Sequence, residues 1–428
     1  MGRLSRLRSA GMTRGVWNIA DQMIASANNF LVQIIIARSV SEDDFGSFAI
    51  VFAIFSVLTG FFRAVATQPV AMRFAGAGDD EFRRASGAAV GLVFTGSLLL
   101  GAGLVVAGLL GPFPAVLGQS LVALGIVLPG LMMQDAWRQV LFARLRPAAA
   151  CLLDATWGVL QLAAVAVLVL SDVGSVFAFT LAWGGAAVAA SFVGLAQVRT
   201  RPKLTRALPW VREQSSLTRY LVPEFVLQQS GVQIAIVIVA AVAGLAAAGG
   251  LRGANMLTVP ATIVSAGLLS FAVPELVRRR ERMTNRTWTL AALGVSGMVS
   301  LVSVVWGSLF LVLPDAVGEA LLAETWSGTR EVLVPIIVGQ VGAALSVGPA
   351  ALLYANEGAR ITMRLHAVYT VALIGLSTAG AVLFGAVGTA WGMAAAFWIV
   401  VPWWFLLTRR HVRRTPDGTE ATSPAPVG

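Results

Sequence analysis

Apolar runs of twenty or more residues follow one another along nearly the whole chain, separated by short arginine-rich gaps. About twenty apolar residues in a helix cross the roughly 30 Å hydrocarbon core of a bilayer, where backbone polar groups have no water to bond and must be satisfied internally. Of 428 residues, 57% are apolar and 12% charged, against about a quarter charged in soluble domains. The expected fold is therefore an all-α polytopic membrane protein.

The runs predict twelve spans, at roughly 16–38, 46–72, 86–110, 115–137, 147–170, 173–197, 219–246, 249–276, 287–313, 331–354, 361–385 and 387–408. Short connections at Gly111–Pro114 and near Ala386 call for tight antiparallel hairpins. All of the 31 basic residues except Arg38, Arg63, Arg252 and Arg330 fall in the N-terminus, the even-numbered loops or the tail. The odd-numbered loops instead hold Glu42, Asp43, Asp44, Asp172, Asp315, Glu319, Glu324 and Glu331. Under the positive-inside rule this alternation places both termini in the cytoplasm of a multi-pass plasma (inner) membrane protein. Trp17, Trp288, Trp403 and Trp404 fall at the expected cytoplasmic helix ends, as interfacial anchors do.

The basic linker 198–218 divides the chain into a six-helix lobe at 1–197 and another at 219–408, followed by a basic, then disordered, cytoplasmic tail at 409–428. Six is even, so both lobes enter from the same side and any repeat is parallel. A weak repeat at an offset near 204 sets Gly46 on Gly250 and Asn29 on Gln233. The architecture expected is twelve transmembrane helices in two parallel six-helix lobes around a central cavity.

Several activities are excluded. The formal charge of +10 is consumed by membrane topology and is not a nucleic-acid signature. The single lysine, Lys203, follows Pro202, so no Walker A sequence exists. His366, His411 and Cys151 cannot assemble a zinc site, and no cofactor or metal is expected. The basic start, Met1 to Arg14, leads into a first helix that is read as retained.

No loop exceeds about 21 residues, so function has to reside among the helices, where each buried polar group is costly. Gln22, Ser26, Asn29 and Gln33 repeat at 4-3-4 spacing on one face of the first helix, flanked by Asp21 and Asn28. The seventh helix carries Glu224, Gln228, Gln229 and Gln233, which Asn255 can join. These stripes either line a cavity or serve as interhelical hydrogen bonds. Arg63 is the only basic residue deep in a span, and either pairs with Asp21 or offers a bidentate fork to an anionic substrate. Asp135, Arg138, Arg144 and Arg146 cluster where the fourth helix leaves the membrane. Asp154 lies deeper, as a counter-charge or proton site. Pro129, Pro260 and Pro349 interrupt three helices, and Gly87/Gly91 and Gly388/Gly392 match the close-packing GxxxG spacing.

The run Ala37-Arg-Ser-Val-Ser-Glu-Asp-Asp-Phe-Gly-Ser-Phe-Ala49, with Gln134-Asp-Ala-Trp-Arg-Gln-Val-Leu-Phe-Ala-Arg-Leu-Arg-Pro147, resembles the polysaccharide-exporter, O-antigen flippase-like branch of the multidrug/oligosaccharidyl-lipid/polysaccharide (MOP) superfamily. The resemblance implies a non-enzymatic flippase for polyprenyl-diphosphate-linked oligosaccharide of O-antigen, capsule or teichoic-acid type. Its partners would be that lipid-linked oligosaccharide, membrane lipid and a proton or sodium ion. It implies Arg38, Arg63 and Arg252 as phosphate or sugar contacts, and Asp21, Asp154 and Glu224 as ion-coupling candidates. Two other classes stay open: a small-molecule or drug exporter of the multidrug branch or major facilitator type, and a membrane glycan polymerase or ligase.

Overall fold

The computed structural model describes residues 2–225, 227, 231–279, 285–355 and 359–414. Gln228 and Gln229, the side chain of Gln22 and the tail beyond Arg414 lie outside the described residues. The described chain is helical almost throughout. In order the elements are α1 (Gly2–Ser39), α2 (Glu42–Phe62), a π-helical turn (Arg63–Thr67), α3 (Gln68–Arg73), α4 (Asp79–Leu110), α5 (Ala115–Ala143), α6 (Pro147–Leu170) and α7 (Val176–Val198). After a 3₁₀ turn (Leu204–Arg206) come α8 (Ala207–Glu213), α9 (Ser215–Phe225), α10 (Gly231–Ala243), α11 (Leu245–Arg279), α12 (Asn285–Leu311), α13 (Asp315–Leu322), α14 (Thr325–Ala355) and α15 (Ala359–Arg414).

Each expected span coincides with helix. Eight helical segments among the described residues are long and apolar enough to cross a membrane. One of them, in α15, contains two spans, divided at Phe384 and Gly385, where Gly385 takes φ 60°. That positive φ is open to glycine at little cost, and it supplies the hairpin expected near Ala386. The first helix begins at Gly2, well before the expected start, and its polar stripe keeps it off the apolar set. Within the span expected at 219–246 the described residues include α9 to Phe225 and α10 from Gly231. At about 20 Å, α10 alone is shorter than a hydrocarbon core. Arg409 to Arg414, expected as basic tail, continue α15 as helix.

The chain forms two compact units: residues 1–256 with 315–329, and residues 257–314 with 330–428. In the first, α5 is central and packs on α4, α7, α2 and α6, while α1 packs on α6. The α4–α5 hairpin is closed by glycines facing one another. A β-carbon on Gly101 would stand 2.5 Å from the Gly125 carbonyl oxygen, and one on Gly125 2.5 Å from that of Gly101. Gly46 and Gly250, matched as equivalents in the weak repeat, instead belong to one packed layer, because Gly249 beside Gly250 would bring a β-carbon within 3.1 Å of the Gly46 nitrogen.

The linker is more than a tether. Lys203 donates its backbone N–H to the Gly87 carbonyl at 2.8 Å, and a β-carbon on Gly91 would collide with the Lys203 carbonyl. The Gly87/Gly91 spacing therefore receives a strap of extended chain rather than a second helix. Trp210 of α8 is buried against Phe74, with ring centroids 5.9 Å apart.

In the second unit α12 is clasped to α14 at Pro349. Proline has no N–H to bond the carbonyl four residues back, and that carbonyl, Leu345, accepts the Ser296 hydroxyl at 2.6 Å. The same hydroxyl accepts the Gly348 N–H at 3.1 Å. Of the four expected tryptophan anchors, Trp17 and Trp403 are exposed, whereas Trp288 and Trp404 are buried. Trp404 packs edge-on against His366 at 5.5 Å between centroids.

Candidate functional site

The deep charged residues converge in the first unit. Arg63 opens the π-helical turn, where the Gln68 N–H bonds the Arg63 carbonyl five residues back. Such a turn inserts an extra residue and re-aims the side chains after it, and is frequent at functional positions. Pro69 follows and cannot bond the Val65 carbonyl, which accepts the Trp210 indole N–H at 3.3 Å. At the start of the turn, Arg63 makes a bidentate pair with Asp135 of α5: Nε to Oδ2 at 2.9 Å and Nη2 to Oδ1 at 2.5 Å.

The expected Asp21–Arg63 pair is not formed. Asp21, 1% exposed, pairs with Nη2 of Arg138 from α5. Arg138 Nε also lies 2.8 Å from Asp154 Oδ2 of α6, and Asp154 Oδ1 accepts the Gln134 amide at 2.8 Å. Depth along two helices, from which the expected pair was drawn, does not fix the direction each side chain faces, and Arg63 faces α5. The result is three carboxylates, Asp21, Asp135 and Asp154, around two guanidiniums, Arg63 and Arg138, with one Asp21 oxygen lacking a hydrogen-bond partner. Isolated ions at this depth carry a desolvation penalty of several kcal/mol each, which close pairing offsets.

A second cation stands apart from these acids. Arg252 of α11, 7% exposed, donates from Nε to Gln33 Oε1 of α1 at 2.8 Å, while Gln33 donates its amide to the Asn29 carbonyl at 2.9 Å. The Arg252 guanidinium lies 3.7 Å from the centroid of the Phe52 ring, a cation–π contact of about 2 kcal/mol when desolvated. Phe52 in turn stacks on Trp183 at 6.2 Å, and Phe55 meets Trp183 edge-on at 4.8 Å. Among the described residues no carboxylate lies within ion-pair distance of Arg252.

The remaining sequence-derived positions are placed as follows. Asn28 is half-buried with its amide against Gly158 of α6. Ser26 and Asn29 are half-buried and Arg38 is exposed. Gln233 is half-buried with its carbonyl oxygen lacking a hydrogen-bond partner. Asn255 donates to the Leu251 carbonyl at 2.8 Å, and Glu224 is exposed on α9. Every one of these residues, those of the seventh and eighth expected spans included, belongs to the first unit.

Asp135 and Arg138, expected where the fourth helix leaves the membrane, instead join this charged group, together with Gln134. Their signal was the spacing on one apolar helix, with Asp135 to Arg138 at i,i+3 and Gln134 to Arg138 at i,i+4, which stacks them on one face. The aromatic group around Trp183 had no comparable mark, because its members come from separate helices.

No protein-family model matches this chain, and no curated protein does. Solved structures do. The inward closed conformation of the lipid II flippase MurJ aligns with a TM-score of 0.70 at 10% identity, covering 92% of this chain and 87% of that one. The inward-facing conformation of a multidrug resistance MATE family transporter of the MOP superfamily aligns at 0.71 and 14% identity, covering 94% of this chain and 100% of that one. A MOP superfamily transporter from Pyrococcus furiosus aligns at 0.53 and 13%, covering 94% and 95%. These relatives are transporters, and the likeness extends over essentially the full length of both partners. This chain has the all-α, multi-pass fold seen in the MOP superfamily transporters.

Proposed function

We propose that the protein flips a polyprenyl-diphosphate-linked oligosaccharide across the plasma membrane by alternating access between two six-helix lobes, with both termini cytoplasmic. The observation that carries this reading is Arg252, a buried guanidinium without a carboxylate partner among the described residues and backed by the Phe52–Trp183 aromatic stack. An unpaired cation at that depth is costly unless an anion visits it. A diphosphate is a doubly or more charged, multi-oxygen acceptor that a planar guanidinium fork suits, and adjacent aromatic faces suit the apolar faces of sugar rings. Arg63 takes part by exchanging Asp135 for substrate phosphate, and Arg38 contributes from its exposed end of α1. Asp21 and Asp154, which share one guanidinium, supply the excess negative charge that a proton or sodium ion balances during the cycle, with Glu224 as an entry group. The remaining stripe residues, Gln22, Ser26, Asn28, Asn29, Gln33, Gln228, Gln229, Gln233 and Asn255, provide sugar-facing hydrogen bonds.

Depletion of the protein in its native host, followed by mass spectrometry of extracted lipids, tests the reading. A lipid-linked oligosaccharide should accumulate while surface polymer is lost, and Arg252→Ala should reproduce this at normal protein level. An unchanged lipid pool with intact polymer, together with drug resistance that follows expression, would replace the flippase with a small-molecule exporter.

A further inference from the structure

Four arginines, contributed by the ends of three helices, converge on one recess in the first unit. Arg83 comes from the first turns of α4, Arg144 and Arg146 from the end of α5, and Arg199 from the end of α7; together they line a cavity of about 630 Å³. Basic residues at helix ends satisfy the positive-inside rule wherever they point, so convergence into a recess is an additional property. Three further features mark a built site. Arg144 is held over the Phe82 ring at 4.0 Å, and Arg146 donates to the Gln197 carbonyl at 3.1 Å, so two of the forks are positioned before any ligand arrives. The acid in the recess, Asp79, bonds Arg144 at 2.5 Å while its own side chain is 80% exposed. Such a solvent-washed pair contributes little and exchanges readily for a stronger anion.

The third feature is backbone strain. Arg199 sits at the end of α7 with φ 53° and ψ 35°, the left-handed conformation that helix ends normally assign to glycine. Leu145, between the two α5 arginines, is also left-handed, at φ 55°. Non-glycine residues there are strained, because the β-carbon crowds the following carbonyl oxygen, and such strain concentrates at functional sites. The Arg199 side chain meanwhile forms no hydrogen bond or ion pair with the described residues. A side chain kept where glycine would be less strained, and unpaired, is a group waiting for a partner.

We infer that this recess is a binding site for a phosphate group, held by Arg144, Arg146 and Arg199, separate from the transport site around Arg252. Bidentate guanidinium–phosphate hydrogen bonds fit the donor set. The phosphate arrives either in an anionic phospholipid headgroup or as a free phosphate compound on the side where the basic loops gather.

The test uses the purified full-length protein in detergent, with melting followed during titration. The probes are short-chain phosphatidic acid, phosphatidylcholine of equal chain length, and inorganic pyrophosphate. Phosphatidic acid should raise Tm saturably where phosphatidylcholine does not; an equal response to pyrophosphate assigns the site to free phosphates, and none assigns it to lipid. Arg199→Gly relieves the left-handed strain while deleting the fork, so it should fold at least as well as the parent yet weaken the responding anion about tenfold, the scale of one bidentate contact. The double variant Arg144→Gln with Arg146→Gln should weaken it further. No anion-dependent rise in the parent, or the same response in both variants, overturns the proposal.

Discussion

In the first unit a guanidinium, Arg138, is held between carboxylates from α1 and α6, whereas in the second the polar clasp between α12 and α14 is one hydroxyl, Ser296. Other polar contacts of the second unit have the same modest character: the Trp306 indole donates to the Leu257 carbonyl at 2.8 Å, and the Trp398 indole to the Val338 carbonyl at 3.0 Å. A hydroxyl or indole mends a helix that proline has interrupted and asks little of its surroundings. Full charges of both signs at depth do not improve stability over apolar packing, so among the described residues the two units hold their helices together by different means. The contrast also shows two solutions to one backbone problem, since the carbonyl freed by Pro69 is met by Trp210 from the linker, and that freed by Pro349 by Ser296 from a neighbouring helix.

The largest effect that can break this contrast is expected at Arg138. Arg138→Ala leaves Asp21 and Asp154 buried without a cation, at a cost of about 3–5 kcal/mol, so monodisperse protein in detergent size-exclusion profiles should largely disappear. Combining Arg138→Gln with Asp21→Asn and Asp154→Asn sharpens the point. The neutral set should restore folded protein and Tm to near the parent value, yet transport should remain lost; retained transport would show that the charges serve packing alone.

Next in size is Ser296→Ala, which leaves both the Leu345 carbonyl and the Gly348 N–H unmet. A loss of about 1–3 kcal/mol is expected, read as a lower Tm with transport per folded molecule unchanged. The smallest effect is expected for Trp210→Phe, which keeps a ring against Phe74 but removes the indole N–H. About 0.5–1.5 kcal/mol should be lost, and if the linker supports the turn that begins at Arg63, transport should fall more than stability does.

Spans, hairpins and the wealth of charge in alternate loops were legible in the sequence, because hydrophobic length and arginine placement are local properties. Burial of Asp21, Gln33 and Asp154 was legible for the same reason, whereas Arg252, expected at a loop edge, is buried. Partnership was not. Asp21 and Arg63 lie at compatible heights, yet height along a helix does not say which neighbour a side chain faces, and Arg63 faces Asp135 of α5. The grouping of Arg252 and Asn255 with the first helices was likewise hidden, since residues so far apart in sequence carry no local mark of contact. Both fall in the compact unit that runs to Met256, inside α11. The tryptophans teach the same lesson in milder form: Trp403 and Trp404 are neighbours in sequence, and one is exposed while the other is buried.

Lys203 is the only lysine in the chain, its side chain is exposed, and its backbone is pinned to Gly87. An amine-reactive fluorophore therefore has a single side-chain target, on a segment whose attachment point is fixed to α4. With the terminal amine blocked, a dye placed there serves as an optical sensor without engineered cysteines, and its brightness and anisotropy report whether the strap stays seated on α4.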